Sequence, residues 1–127
     1  KEVGVTDHSG TNVTFMPDAS IFSTTYFKYS ILAGRLRELA FLNKGIEIFL
    51  TDNRDKDEAG NVKTERFHSE RGLEEFVQFI DESRERLIDE VIYISTEKTD
   101  IPVEIAILYN TSFTENIHSY VNNINTI

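Results

Sequence analysis

Cysteine is absent from the chain, which removes disulfides, thiolate metal sites, a cysteine nucleophile and iron–sulfur ligation from consideration. That absence suits a reducing cytosol, and a cytoplasmic location is expected. No apolar run approaches the length of a membrane span and no signal peptide opens the sequence, so no membrane partner is expected. Basic residues are outnumbered: 13 Lys and Arg stand against 22 Asp and Glu, for a net charge of -9 and a pI near 4.7. A chain this acidic is poorly suited to wrap nucleic acid by itself, because neutralising phosphates needs clustered Lys and Arg. The six glycines are scattered at 4, 10, 34, 45, 60 and 72, with neither a phosphate-cradling P-loop nor a G-x-G-x-x-G turn.

What is present describes a folded chain. Hydrophobic residues make up 39% of the 127, which is globular rather than disordered. This length supports one compact domain, or two half-domains that need each other, burying roughly two-thirds of the unfolded surface. The chain starts at Lys1 without an initiator Met and stops at Ile127 straight after a strand-like segment, so a piece of a longer protein is expected. Its charge is uneven. Residues 1–71 hold ten basic and eleven acidic side chains, a net of -1, whereas residues 72–127 hold three and eleven, a net of -8. Such a break marks either a boundary between units or a solvated acidic helix face.

The pattern along the chain predicts an α+β fold in the order β-α-β-β-α-β-β-β. Thr11–Met16 alternates, with Val13 and Phe15 on one side, and Pro17 ends it for lack of a ladder donor. From Tyr29 to Leu42, Leu32, Leu36, Leu39 and Ala40 recur at helical spacing, with Arg35, Arg37 and Glu38 turned outward. Asn43-Lys44-Gly45 is a stop signal. Gly34 inside this helix costs about 1 kcal/mol against Ala, which hints at close packing. Strands follow at Ile46–Thr51 and Val62–His68, joined by the polar stretch Asp52–Asn61, which lacks the context of a calcium loop. Gly72–Arg86 is the clearest helix, with Leu73, Phe76, Val77 and Ile80 on one stripe and Ser69 placed to cap its start. Strands at Glu90–Thr96, Val103–Tyr109 and about Glu115–Ile124 complete the reading, with Lys98-Thr99-Asp100 in the first connection.

No catalytic constellation emerges from these residues. His8, His68 and His118 lie 60 and 50 residues apart, without i, i+4 pairing. No carboxylate pair is singled out for acid–base work, and no serine sits in a nucleophile elbow. No catalytic or metal-binding residue is assigned.

Several stretches nevertheless carry a resemblance. Ser9-Gly10-Thr11-Asn12-Val13-Thr14-Phe15-Met16-Pro17-Asp18 reads GTxVxFxPD, and Arg35–Gly45 reads RLRELAFLNKG. Gly72-Leu73-Glu74-Glu75-Phe76-Val77, Val103-Glu104-Ile105-Ala106 and Tyr120-Val121-Asn122-Asn123-Ile124 follow in order. Together they resemble the ATPase subunits of bacterial type II DNA topoisomerases, the B subunit of DNA gyrase and its relative in topoisomerase IV. The resemblance runs over essentially the whole chain, and the first two motifs in register are its most specific part. Arg71 stands where many relatives carry a glycine.

The resemblance implies that residues 1–70 are the C-terminal portion of a GHKL ATPase domain and residues 71–127 the first part of a transducer domain like the second domain of ribosomal protein S5. It implies a parent that uses ATP and Mg²⁺ to drive DNA strand passage and supercoiling. That parent would dimerise with nucleotide and work on DNA in a heterotetramer with the DNA-cleaving gyrase A-type subunit. Of the nucleotide pocket, only the GTxVxF strand falls within this chain: Thr11 would hydrogen-bond near adenine, with Gly10 and Val13 lining the pocket. The family's catalytic base, Mg²⁺ ligand and glycine-rich lid would precede Lys1, and its γ-phosphate loop would follow Ile127. By itself the chain is expected neither to catalyse nor to bind a cofactor tightly. The alternatives are the topoisomerase IV subunit, another GHKL ATPase, against which RLRELAFLNKG argues, or a stand-alone acidic module that binds a protein through a sheet edge.

Overall fold

The computed structural model describes residues 4–5, 7–56, 58–96 and 101–126. Lys1, Ile127, Asp57 of the predicted loop, and the predicted connection through Lys98, Thr99 and Asp100 lie outside them.

Helix α1 spans Tyr29–Leu42, the predicted bounds. Its end is built as the sequence suggests. The backbone N–H and the side-chain Nδ2 of Asn43 both donate to the Leu39 carbonyl, at 3.0 and 2.8 Å. Gly45 then turns the chain at φ +87°, a left-handed conformation that costs glycine little. The Gly45 N–H donates to the Ser69 carbonyl at 2.8 Å, which ties the end of α1 to the segment before the second helix.

Strands β1 (Glu47–Lys56) and β2 (Val62–His68) form an antiparallel hairpin, in register from Glu47 opposite His68 to Asp52 opposite Lys63, with a shift before Lys56 pairs Val62. β1 is longer than predicted because half of the polar stretch stays in the ladder. Ile48 and Leu50 turn toward α1, and with Tyr29 and Leu36 they pack around the buried Ala33, Ala40 and Phe67. Arg37 crosses this small core: its guanidinium lies 5.4 Å from the Phe67 ring centre and 2.6 Å from Glu65 Oε1.

Asp52 anchors the far end of the hairpin. Arg54 donates to it from Nε at 2.8 Å, from Nη2 at 2.6 Å and from the backbone N–H at 3.0 Å. Arg54 also reaches the Phe27 carbonyl at 2.8 Å, so the pair holds residues 26–27 against the hairpin. These bonds pull the Asp52 carboxyl from an ordinary 3.8 to about 2. A carboxyl lowered in the folded state favours folding most fully above its unfolded value and loses that effect as pH falls through its folded value. Acid unfolding is therefore expected to draw on Asp52 between pH 3.8 and about 2. A carboxyl-resolved NMR titration should show the low midpoint, and Asp52→Asn should flatten that part of the stability curve.

Helix α2 covers Leu73–Ile80 and stops short of the predicted Arg86. The chain beyond it is captured by other partners. Leu87 N–H donates to the Tyr109 carbonyl at 2.8 Å, Thr111 N–H to Glu85 at 3.0 Å, and Arg86 bridges Asn110. The buried Asp81 accepts from Asn110 Nδ2 at 2.5 Å. Strands β3 (Ile92–Thr96) and β4 (Val103–Ile107) pair antiparallel, and α2 packs on β4.

Two predicted strands are corrected. Thr11–Met16 joins no ladder among the described residues, and Val13 and Phe15 are 76% and 73% exposed. The alternation is present, but a strand also needs a partner edge. Glu115–Ile124 is instead a small hairpin, β5 (Tyr120–Val121) and β6 (Ile124–Asn125), because Asn122 and Asn123 both adopt positive φ, 49° and 64°. Two left-handed residues between paired strands make a tight hairpin turn, a conformation Asn tolerates. The described elements thus form three separate two-stranded sheets with two helices, an α+β architecture.

The accessible surface is 10,882 Å². A self-contained protein of this mass exposes about 6,900 Å² and its unfolded chain about 21,000 Å², so about half of the surface is buried rather than the expected two-thirds. Apolar side chains such as Val13, Phe15, Ile21 and Phe113 account for part of this open surface.

Candidate functional site at the helix junction

The predicted nucleotide-site residues lie on the unpaired N-terminal strip. Gly10, Thr11 and Val13 are all exposed, and none lines either of the two main concavities. Around Gly10 the space a side chain would take is open. The structure brings these three residues together only along their own backbone.

What the structure does assemble is a junction between α1, the Ser69–Gly72 turn, α2 and the β5–β6 hairpin. The turn comes first. Ser69, only 1% exposed, accepts the Gly72 N–H on its hydroxyl at 2.8 Å and donates that hydroxyl to Glu75 Oε2 at 2.9 Å. The other oxygen of Glu75 accepts the Arg71 N–H at 3.0 Å. The direct cap on α2 expected from Ser69 is not formed; Gly72 takes the cap position, and the serine and Glu75 together satisfy the amides that precede the helix. Gly72 sits at φ 62°, ψ −117°, where a Cβ would come within 3.2 Å of the Phe41 carbonyl oxygen.

Beside the turn lies an aromatic contact. Phe41 of α1 stacks on Phe76 of α2 with ring centres 5.2 Å apart and planes inclined by 16°, and Phe79 lies 5.6 Å from Phe41. Tyr120 and His118 approach Phe76 from the hairpin side, at 6.0 and 6.2 Å. A cavity of about 290 Å³ opens between these rings, Gly34 and Arg37. Gly34 faces it with nothing near the position a Cβ would occupy, so the close packing expected at that glycine is not found.

The polar side of the junction involves α1 residues that the sequence pattern turns toward solvent. The Tyr120 hydroxyl donates to Glu38 Oε1 at 2.5 Å, and Arg35 pairs with the other oxygen. Arg35 Nη2 also donates to the Asn123 carbonyl at 2.6 Å, and Asn123 Nδ2 donates to Asn43 Oδ1 at 2.9 Å. Partial burial pushes the Glu38 carboxyl upward, but the hydrogen bonds from Tyr120 and Arg35 and the Arg35 charge outweigh it, leaving the group below its ordinary range. Burial, and then the Glu38 acceptor, raise the Tyr120 hydroxyl to about 12.

This arrangement holds no nucleophile–base pair, and among the described residues no three His, Asp or Glu side chains converge to hold a metal ion. Its capacity is mechanical: it fixes α1 against α2 and against the β5–β6 hairpin. Sequence reasoning identifies α1 and the start of α2 but misses the contacts between them. The one signal available is the consecutive Asn122-Asn123, a hairpin-turn pair read as strand.

Known proteins place this fold. A structure of the DNA gyrase B protein from Myxococcus xanthus superposes with a TM-score of 0.77 at 24% identity, over 88% of this chain and 34% of that one. The 43K ATPase domain of Thermus thermophilus gyrase B, solved in complex with an aminocoumarin, gives 0.69 at 27% identity, over 86% and 28%. The fold is therefore shared with part of these gyrase B structures. In sequence, the model of the family described as DNA gyrase B matches residues 72–127. The gyrase B protein of Cytophaga aurantiaca is 55% identical over the full 127 residues, and that of Staphylococcus aureus 48% over 99% of the chain. Along its whole length the chain is similar to DNA gyrase B proteins. It spans 27% of the Cytophaga protein and 19% of the Staphylococcus one, about a quarter of such relatives or less. The names of these relatives do not favour the topoisomerase IV or stand-alone-module readings.

Proposed function

We propose that this chain is a stretch of the ATP-hydrolysing component of a bacterial type II topoisomerase, DNA gyrase B, and that it joins the nucleotide-binding domain to the transducer. The observation that carries the reading is the alignment of the whole chain, from end to end, with named gyrase B proteins at 48–55% identity. In this reading residues 1–70 close the GHKL ATPase domain and residues 71–127 open the transducer. The start of the family match at residue 72 and the turn at Ser69–Gly72 both support a boundary there.

The whole gyrase B protein would take ATP with Mg²⁺, dimerise with nucleotide, and drive DNA strand passage with an A-type partner in the cytoplasm. The described residues offer neither a phosphate cradle nor a convergent acidic site, so no step through ATP or Mg²⁺ is derived from them. Gly10, Thr11 and Val13 would form one edge of the adenine pocket once the rest of the domain surrounds them. Thr11 would offer a hydroxyl, Gly10 room for a ring, and Val13 an apolar wall. The junction would pass displacement from that domain to the transducer, a two-state element biased by nucleotide contacts.

In the complete protein, Thr11→Val keeps the side-chain shape and removes the hydroxyl. Losing one hydrogen bond of about 0.5–1.5 kcal/mol should weaken ATP binding by roughly twofold to twelvefold, read as a raised KM for hydrolysis. The isolated chain should show no ATP turnover, and measurable turnover by it would sink the assignment.

A further inference from the structure

We infer that Arg35 and Glu38 of α1, with Asn43 at its end, form a polar clasp on the Tyr120–Asn125 hairpin, and that this clasp is the half of the junction that opens and closes as the two proposed units move. The inference rests on the coupling role proposed above and names the residues that would carry it.

Four observations lead to it. First, the clasp joins parts of the chain that are remote in sequence. Tyr120 is 82 residues from Glu38, Asn123 is 88 from Arg35 and 80 from Asn43, yet all three bonds fall at 2.5–2.9 Å. Second, the hairpin cannot hold its own position. With two residues in each strand it has no core, and a hairpin that small is marginal without outside packing. Its place against α1 is therefore set by the bonds that reach it.

Third, the clasp grips the turn itself. Asn123, left-handed at φ 64°, contributes both its backbone carbonyl and its side-chain amide to α1. A register slip would withdraw both groups at once, so the grip is all-or-none. Fourth, the two sides of the junction differ in kind. The Phe41–Phe76 side is apolar and would expose rings to water on parting. The clasp side is polar, so its groups find water as a replacement partner when they part. The cavity between Gly34, Phe41, Phe79 and Tyr120 gives the hairpin space to shift while the rings stay stacked. The raised Tyr120 hydroxyl stays protonated at physiological pH and remains a donor in the closed state.

The test uses the full-length protein assembled with its DNA-cleaving partner, carrying Arg35→Ala, Tyr120→Phe, or both. Glu38→Gln serves as the milder variant, since it keeps an acceptor for Tyr120 but loses the charge that holds Arg35. Three quantities are read: ATP hydrolysis, supercoils introduced per ATP, and amide hydrogen exchange over residues 118–126. The expected result is hydrolysis close to that of the unsubstituted protein and faster exchange in the hairpin but not in α2. Supercoils per ATP should fall about fivefold or more, the size of a modest coupling between sites. Faster exchange with supercoils per ATP unchanged would make the clasp merely structural and overturn the inference. Unchanged exchange in the double variant would mean that the clasp does not hold the hairpin at all. An unsubstituted protein without ATP-dependent supercoiling would instead defeat the functional reading, and the exchange data would still decide whether the clasp exists.

Discussion

Replacing Gly72 with alanine should destabilise the protein by about 2–4 kcal/mol, from backbone strain together with displaced neighbours. The backbone there stands at φ 62°, ψ −117°, a combination that residues with a Cβ rarely adopt. Relaxing φ would swing α2 away from α1, because residue 72 is the last link before the helix. Keeping φ would press the new methyl to 3.2 Å from the Phe41 carbonyl and 3.3 Å from Lys44 Cβ. Either course also disturbs the Gly72 N–H that the buried Ser69 hydroxyl accepts. Gly34→Ala is the internal comparison. It lies in the middle of α1 with open space around it, so alanine should stabilise by up to about 1 kcal/mol through helix propensity alone. Urea unfolding of both variants, followed by circular dichroism, should move the two midpoints in opposite directions. Equal and small shifts would mean that the turn at residue 72 is not under constraint.

The contrast between these glycines shows which parts of the fold are legible. Local signals read correctly where local forces decide. The period of Leu32, Leu36, Leu39 and Ala40 gives α1 its length, and Asn43 with Gly45 gives it an end. Strand β2 comes out at its predicted bounds for the same reason, between a polar turn and Ser69. Reading fails wherever a partner decides. Thr11–Met16 has a strand's alternation and no neighbouring strand among the described residues. Residues 81–86 continue a helical pattern, but pairing with residues 109–111 captures them. Arg35 and Glu38, read as turned outward, pair with each other and also bond a hairpin more than 80 residues away. No periodicity encodes a contact at that separation.

The candidate site divides along the same line. Gly10, Thr11 and Val13 are legible only through a motif, and the 10,882 Å² of accessible surface indicates why the structure builds little around them. About 4,000 Å² more is exposed than a self-contained protein of this mass would show, and apolar residues such as Val13 and Phe15 lie on it. The junction, in contrast, is built from contacts among the described residues of α1, α2 and the β5–β6 hairpin.

The junction's apolar side supplies the second large effect: Phe76→Ala should cost about 3–5 kcal/mol, the usual penalty for emptying a buried phenylalanine site. Phe76 is the buried aromatic of α2, 8% exposed, and the stack on Phe41 adds a specific contribution beyond the buried area. Phe76 is also the ring that Tyr120 and His118 approach, so the cavity already beside it would enlarge rather than collapse. That argues for the upper part of the range, since the cost grows with the void that remains. Phe76→Leu keeps most of the volume and should cost below about 1.5 kcal/mol. The two variants should also differ in cooperativity. If Phe76 is what makes the two proposed units unfold together, Phe76→Ala should broaden the urea transition and lower its slope, because less surface is then exposed in one step. A loss of midpoint with the slope retained would instead place the cooperative link in the polar clasp and the Gly45–Ser69 bond, which Phe76→Ala leaves intact.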